Sequence, residues 1–407
     1  MPVRATKRGS ERTPFAPGAR YDVVICGASF AGLAVARELR ASRARVLVLD
    51  RYEIGERQTS ACCAPTEWLV NLGLEGSVRQ TFDSMVLHTI GASVRWRLPY
   101  TFSTFDYREL CELLWAQCGD AEFETAKVDG RCNVAGRGTG GARDGQSSVT
   151  VEGAGDVVDG EITISTDRGD VRADLVVDCL GWRRMLGAGE PVQPPEATLS
   201  RGLEVHPQGE APDLQLWVDP NYVVSGYGWS FPAAGELRIG IGSYDPRFHV
   251  KDPTVRLATD EGAGTVRYQG NWIPHRIRPA TEDGVFFAGD SAGHCLAMSA
   301  EGIRTALYFG IACGRELAGV LAGDQSREDA LRNYHEFARA HRWKFEWMWL
   351  NQRAVRHLHG RPLDALARLT SRPRLISWLF RKYLNVAPPS FALPAPPQAQ
   401  AAIPLAA

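Results

Sequence analysis

The stretch "YDVVICGASFAGLAVARELR", from Tyr21 to Arg40, constrains the fold more than any other part of the chain. Val23-Val24-Ile25 is a short apolar run suited to a strand buried on both faces. Leu33 to Arg40 consists of helix formers, so the turn "CGASFAG" joins a strand end to a helix N-terminus. Unpaired N–H groups and the helix dipole at such a turn favour a pyrophosphate. Gly27 permits the tight turn and Gly32 permits close packing of helix on strand, while the middle position of Gly-x-Gly-x-x-Gly is Ser29. Serine adds only a small hydroxyl that can itself donate a hydrogen bond, so phosphate can still approach. A second strand, "RVLVLD", ends at Asp50, eighteen residues beyond Gly32, where a carboxylate accepts ribose hydroxyls. Arg51 follows it and belongs to the same cofactor-binding set. Strand, turn, helix, strand and acid in register predict a nucleotide site rather than a generic turn.

Bulk properties remove several other classes. The 407 residues suffice for two domains with a sizeable core. A net charge of −1 supplies no field for nucleic acid, so no nucleic-acid partner is expected. Nine cysteines lack the paired spacing of a metal centre, and no metal site is predicted. Their odd number, with no apolar leader in residues 1–20, argues for reduced thiols and a cytoplasmic chain. No run of about 18 apolar residues is present to span a bilayer.

Which nucleotide binds is decided near the other end. "GVFFAGDSAGHCLAMSAEGIRTALYFG" gives a strand, then Gly289-Asp290, then a glycine-containing loop entering a helix. It resembles the flavin-binding segment of the flavoproteins similar to para-hydroxybenzoate hydroxylase. The resemblance implies that Asp290 accepts a ribitol hydroxyl and that Gly302 and Ile303 open a helix aimed at the pyrimidine end of the flavin. "ADLVVDCLGWRR", with Asp178 and Gly181, resembles a further strand-Asp-x-x-Gly turn of that class. "FDYRELCELL" places Arg108 where the class carries an arginine near the cofactor. The implied cofactor is FAD. The glycine cluster Gly136 to Gly141 has no preceding apolar run and reads as a flexible loop, not a second dinucleotide site.

Two segments narrow the chemistry. "SGYGWSFPAAGELRIGIG" resembles the YxWxFP segment of geranylgeranyl reductases, which hydrogenate isoprenoid double bonds from reduced FAD; Val224 stands where that family usually has proline. Tyr227, Trp229 and Phe231 alternate along a strand, which suits either an apolar substrate wall or simple core packing. "RQTSACCAPTEWL" falls where the family has a cysteine-containing loop over the flavin, and Cys62 or Cys63 is the candidate proton donor. The sequence does not choose between the two sulfurs, and small residues packing a loop are the plain alternative. The seven remaining cysteines read as core.

The expected function is reduction of carbon–carbon double bonds in an isoprenoid chain, with NAD(P)H or a ferredoxin-like protein as electron donor. An FAD-dependent aromatic monooxygenase is the alternative, with His294 or Arg304 available to grip a polar substrate, though each also reads as a solvated helix-terminal residue. Flavin-dependent halogenases need a lysine in the N-terminal third, and none stands between Lys7 and Lys127.

The implied fold class is α/β. A discontinuous Rossmann-type FAD domain covers residues 20–183 and 283–325. Residues 185–282 form an antiparallel-sheet substrate domain joined by 80–105. Residues 326–385 are helical, between a disordered arm at 1–19 and a disordered tail at 386–407. From Phe337 to Asn385, eleven basic residues oppose only Glu346 and Asp364, interleaved with Trp343, Trp347, Trp349 and Trp378. Such a pattern suits a helical surface lying on anionic lipid, and equally helices packed on the body with a solvated basic face.

Overall fold

In the computed structural model, which describes residues 12–58, 60–133, 160–188, 196–355 and 357–393, the apolar run at Val23 lies at the centre of a parallel sheet. Arg20–Cys26 pairs in parallel with Val46–Asp50 on one side and Gly169–Asp178 on the other. Val285–Phe287 extends the sheet beyond Gly169–Asp178, and Glu122–Thr125 extends it beyond Val46–Asp50, again in parallel. Register brings Cys26 opposite both Leu49 and Asp178, and Phe287 opposite Asp178. The carboxyl ends of these strands therefore share one edge of the sheet, where open α/β sheets bind ligands. Ile162–Thr166 and Val128–Asn133 continue the sheet as an antiparallel pair. The loop reading of Gly136 to Gly141 lies outside the described residues.

A second sheet roofs that edge. Its order runs from Gln269–Pro274 through Leu199–Val205, Leu237–Ser243, Gly226–Pro232 and Leu214–Trp217 to Val78–Thr89, Ala92–Phe105 and the short strand Cys63–Pro65. One pairing, Leu214–Trp217 with Val78–Thr89, is parallel; the others are antiparallel. Residues 80–105 and Cys63 belong to this sheet.

Eight α-helices lie among the described residues: α1 (Phe30–Glu38), α2 (Thr66–Asn71), α3 (Tyr107–Trp115), α4 (Lys251–Asp260), α5 (Ile303–Ala322), α6 (Arg327–Val355), α7 (Arg361–Thr370) and α8 (Pro373–Leu384). Helices α1 and α5 cross at very short range. A Cβ on Gly310 would stand 2.6 Å from the Ala31 carbonyl oxygen, so only glycine lets α5 approach. Pro362 and Pro373 open α7 and α8, positions where a missing N–H costs nothing.

The described parts of two stretches expected to lack structure, residues 12–19 and 386–393, have a defined place. Phe15 donates its N–H to the Arg168 carbonyl and lies under the Arg168 guanidinium. Val386 and Ala387 are buried, and the Trp68 indole donates to the Ala387 carbonyl at 3.0 Å. Phe391 packs on Tyr308 and Phe337 as well, so the segment is anchored by one aromatic ring and by backbone oxygens that its proline- and alanine-rich composition does not reveal.

His294 does not have the solvated position read from the sequence. It is fully buried, stacked on Phe309 at 3.7 Å between ring centroids, and neither ring nitrogen has a hydrogen-bond partner among the described residues. Burial holds its pKa well below the ordinary 6.5, reinforced by His341 and Arg184. The folded chain thus keeps His294 neutral while the unfolded chain protonates it near 6.5. The stabilising contribution is complete above that value and is lost as pH falls below it. We expect the melting temperature to drop from pH 7 to pH 5, and His294→Phe to make the drop shallower by at least about 2 °C. Equal slopes in the two proteins would contradict this.

Candidate active site

Between the carboxyl edge of the first sheet and the inner face of the second lies a cleft of ≈ 1380 Å³. Its wall includes Ser29, Asp50, Arg51, Gly289, Asp290, Gly302 and Ile303 from the nucleotide-facing segments. It also includes Cys62, Cys63, Tyr227, Trp229 and Phe231. Residues read from five separate segments are thus brought together. Gly27, Gly32 and Arg108 are not on the wall.

The two glycines act on the turn itself. Gly27 has φ +113°, and a Cβ there would stand 2.3 Å from the Cys179 carbonyl oxygen. A Cβ on Gly32 would stand 1.8 Å from the carbonyl oxygen of Gly27. Any side chain at either place would push α1 off the strand. Ser29 is the N-cap residue of α1 but makes no capping bond, so the leading N–H groups of the helix are available to an anion. Its hydroxyl is occupied differently: Tyr107, from α3, donates to Ser29 Oγ at 3.1 Å. Asp50 accepts from the Ala28 N–H at 2.9 Å and the Tyr52 N–H at 3.1 Å, so the expected ribose acceptor also braces the turn.

Asp290 stands in a 3₁₀ turn, Gly289–Ala292, beside the first turn of α5. Burial pushes its carboxyl up to about 6, with Arg278 pulling the other way. Asp178 is turned inward, accepting from Leu180 and Leu186 N–H groups and from Ser291 Oγ. Arg108 lies behind Gly55, with Nε on Glu112 at 2.7 Å and Nη1 buried without a hydrogen-bond partner among the described residues. An uncapped helix start and two acids on the cleft wall, Asp50 and Asp290, fit an extended, doubly phosphorylated cofactor such as FAD.

The roof has its own logic. Trp229 needs space, since a Cβ on Gly240 would come within 2.3 Å of its ring. The indole N–H donates to Glu204 at 3.1 Å. Tyr227 donates its hydroxyl to the Ser299 carbonyl, and its ring lies 5.8 Å from that of Trp229. Phe231 packs with Phe102, Leu214 and Phe380 in an apolar cluster that Cys63 also joins.

The cysteine loop is held by a residue the sequence reading missed. Arg238 is buried, and its Nη1 donates to the carbonyls of Ala61, Cys62 and Phe105 at 3.0, 3.2 and 2.9 Å. This clamp fixes Cys62 at φ +53°, a strained backbone for a non-glycine residue. Cys62 is fully buried and its thiol donates to the Ser60 carbonyl at 3.1 Å. Cys63 is half-buried, and burial pushes its thiol up to about 12 against the pull of Arg238. Both thiols stay protonated at neutral pH. Of the remaining cysteines, Cys179 and Cys295 reach the cleft wall, while Cys26, Cys111, Cys118 and Cys313 are core; the Cys132 side chain lies outside the described set.

Arg304 is not a solvated residue either. It is fully buried in α5, binds Glu301 through Nε and Nη2 at 2.7 and 2.8 Å, and donates to carbonyls at Tyr383, Leu384 and Ala387. The Tyr383 hydroxyl completes the cluster on Glu301. Arg304 therefore ties α8 to the start of α5 and does not reach the cleft.

Asp290→Ala should weaken FAD binding by about tenfold or more, the value of a lost hydrogen bond to a charged acceptor. In the unaltered chain, affinity should fall as pH drops through about 6, because the proton competes for the carboxylate. Asp290→Asn should flatten that profile. Fluorescence titration of FAD across pH 5 to 8 checks both, and a wild-type profile equally flat would contradict the role.

No family model and no curated sequence matches the chain. Solved structures do. A geranylgeranyl bacteriochlorophyll reductase-like protein from Thermoplasma acidophilum superposes with TM-score 0.75 at 16% identity, over 92% of this chain and 98% of that one. The flavin-dependent brominase Bmp2 gives TM-score 0.61 at 15% identity, over 91% and 93%. The anhydrotetracycline hydroxylase OxyS from Streptomyces rimosus gives 0.58 at 20% identity, over 92% and 75%. With the parallel sheet, the roof and the cleft between them, the chain has the fold of FAD-dependent oxidoreductases.

Proposed function

We propose that this chain binds FAD and uses it, once reduced, to saturate carbon–carbon double bonds of an isoprenoid chain. The observation that carries the reading is the apolar arm of the cleft, where Met85, Phe102, Leu216, Phe231 and Phe380 line the wall and belong to the same apolar cluster as the half-buried Cys63. A flexible prenyl chain gains by leaving water for such a wall, at about 25 cal/mol per Å² of apolar surface. Arg304 and His294, the residues that would have gripped a polar aromatic ring, stand off the cleft.

FAD, when bound, supplies the hydride. Cys63 supplies the proton: its thiol is accessible, whereas the Cys62 proton is committed to Ser60. Burial keeps the Cys63 thiol protonated at neutral pH, so a proton is present to be given. Arg238 positions the loop, and Trp229 with Tyr227 forms a rigid side wall. NAD(P)H or a ferredoxin-like protein reduces the flavin. A second reading, FAD-dependent aromatic hydroxylation, draws support from likeness to OxyS and to the monooxygenase PqsL of Pseudomonas aeruginosa, 16% identical.

Anaerobic photoreduction followed by geranylgeranyl-type substrates should reoxidise the flavin without oxygen. Cys63→Ser should slow that step by about a hundredfold, within the range of a lost general acid, and leave FAD bound. Flavin that reoxidises only with oxygen, yielding a hydroxylated product, would replace this reading with the second.

The substrate also suggests where the protein works: in the cytoplasm, at a membrane surface. No helix among the described residues is long and apolar enough to cross a membrane. Trp343, Trp347 and Leu350 form one face of α6 opposite the buried Phe345, with the two tryptophans 66% and 60% exposed. Trp378 is 56% exposed on α8, next to Leu379, which with Leu366 is both exposed and part of the cleft wall. Trp349 is pinned between Arg276 and Arg353 and Ile376 is buried, so part of the aromatic set serves packing. The protein should co-sediment with anionic vesicles at low salt and much less at high salt. Replacing Trp343, Trp347 and Trp378 by Ala should abolish binding; failure of the unaltered chain to bind at low salt would contradict a membrane surface.

A further inference from the structure

The roof carries a polar chain that none of these roles uses. Glu204 and His206, two apart, bracket the end of the strand Leu199–Val205; both are buried and both reach the cleft wall. His206 Nε2 lies 2.8 Å from Glu204 Oε1, and Nδ1 lies 3.5 Å from Glu236 Oε1. Glu236 sits outward, in the turn before Leu237–Ser243, bound by Arg238 at 3.2 Å and by the solvent-exposed Arg267 at 3.1 Å. At the inner end, Gln269 bridges Glu204 to the Ser60 carbonyl, and Trp229 holds the other Glu204 oxygen. A histidine between two carboxylates, one near solvent and one on the wall beside the cysteine loop, is an unusual thing to bury for stability alone, since charged groups so placed give back little in net free energy.

We infer that Glu236, His206 and Glu204 form a proton inlet from the rim to the cleft. The inference rests on the reductase reading, in which each double bond consumes one hydride and one proton. The hydride comes from the reduced flavin, itself reduced by NAD(P)H or a ferredoxin-like protein, and adds to one alkene carbon. The other carbon takes the thiol proton into a C–H bond made with the electron pair of the double bond, leaving a thiolate. A proton from solvent then passes from Glu236 through a bridging water to His206 Nδ1, 3.5 Å away. His206 gives up the proton on Nε2 to Glu204, Glu204 passes it to the thiolate through water in the cleft, and a half-turn of the imidazole returns an N–H to the Glu204 side for the next cycle. Alkene is reduced, flavin is oxidised, and the thiol is restored. The charged groups facing His206 are Glu204, Glu236 and, behind Glu236, Arg238 and Arg267. Glu236 and His206 act through Glu204 and are positioning residues in this scheme.

Two measurements test the inlet on the FAD-loaded full chain. Exchange of the His206 ring N–H with D₂O, followed by NMR of ¹⁵N-histidine-labelled protein, needs no substrate. It should be fast despite burial, and Glu236→Gln should slow it at least about tenfold. In the catalytic arm, His206→Gly should slow multiple-turnover reduction of a prenyl alkene with FAD affinity unchanged, and added imidazole should restore much of the rate. A structural role for His206 would show no imidazole rescue, and unchanged ring exchange in Glu236→Gln would remove the inlet. If the unaltered enzyme reduces no prenyl alkene, the reductase reading fails while ring exchange still decides the inlet.

Discussion

The cleft depends on how closely the chain can fold on itself at the turn between Arg20–Cys26 and α1. Gly32 rests on the carbonyl of Gly27, and Gly27 rests on the carbonyl of Cys179, the residue after the neighbouring strand. These contacts set α1 against the sheet, and α1 sets α5, which crosses it at Gly310. Asp290 and Gly302 inherit their positions from α5 and from the strand Val285–Phe287, in register with Asp178. The cofactor edge is therefore a consequence of backbone approach at a few glycines. Side chains such as Asp50 then brace a geometry that is already fixed.

The roof is held by buried polar groups instead. Arg238 clamps the cysteine loop, Glu204 holds Trp229 and His206, and Glu301 with Arg304 anchors α8. Each is costly to bury and costly to break on one side only, because a buried polar partner would be left without its hydrogen bond. Such groups specify one arrangement of roof over cleft, and they explain how a sheet contributed by four separate chain segments meets the carboxyl edge of the parallel sheet in one register.

Much of this was legible in the sequence, and the reasons differ by residue. The strand-turn-helix at Gly27, the Gly289-Asp290 turn and the alternation at Tyr227, Trp229 and Phe231 are local patterns, set within a few residues. Residues 80–105 could be read as strands because strand periodicity survives over long runs. Arg238 and Arg304 were not legible as clamps, since their partners are backbone carbonyls far along the chain and carbonyls have no sequence signature. Arg304 and His294 read as solvated because polar residues at helix ends usually are. Glu204 and His206 left a faint signal, two polar residues at period two within "GLEVHP", placed on the inner face that also carries Gly202. Cys62 and Cys63 looked equivalent until burial and the hydrogen bond to Ser60 separated them.

The central claim is that hydride from bound flavin and a proton from the cleft wall end on adjacent carbons of a prenyl chain. Mass analysis of the product formed in D₂O, with ¹⁸O₂ present, tests it most directly. Flavin N5 and the thiol both exchange with solvent, so the account predicts a pair of deuterium atoms gained for each double bond lost and no ¹⁸O. A product that gains ¹⁸O and keeps its double bonds would contradict it.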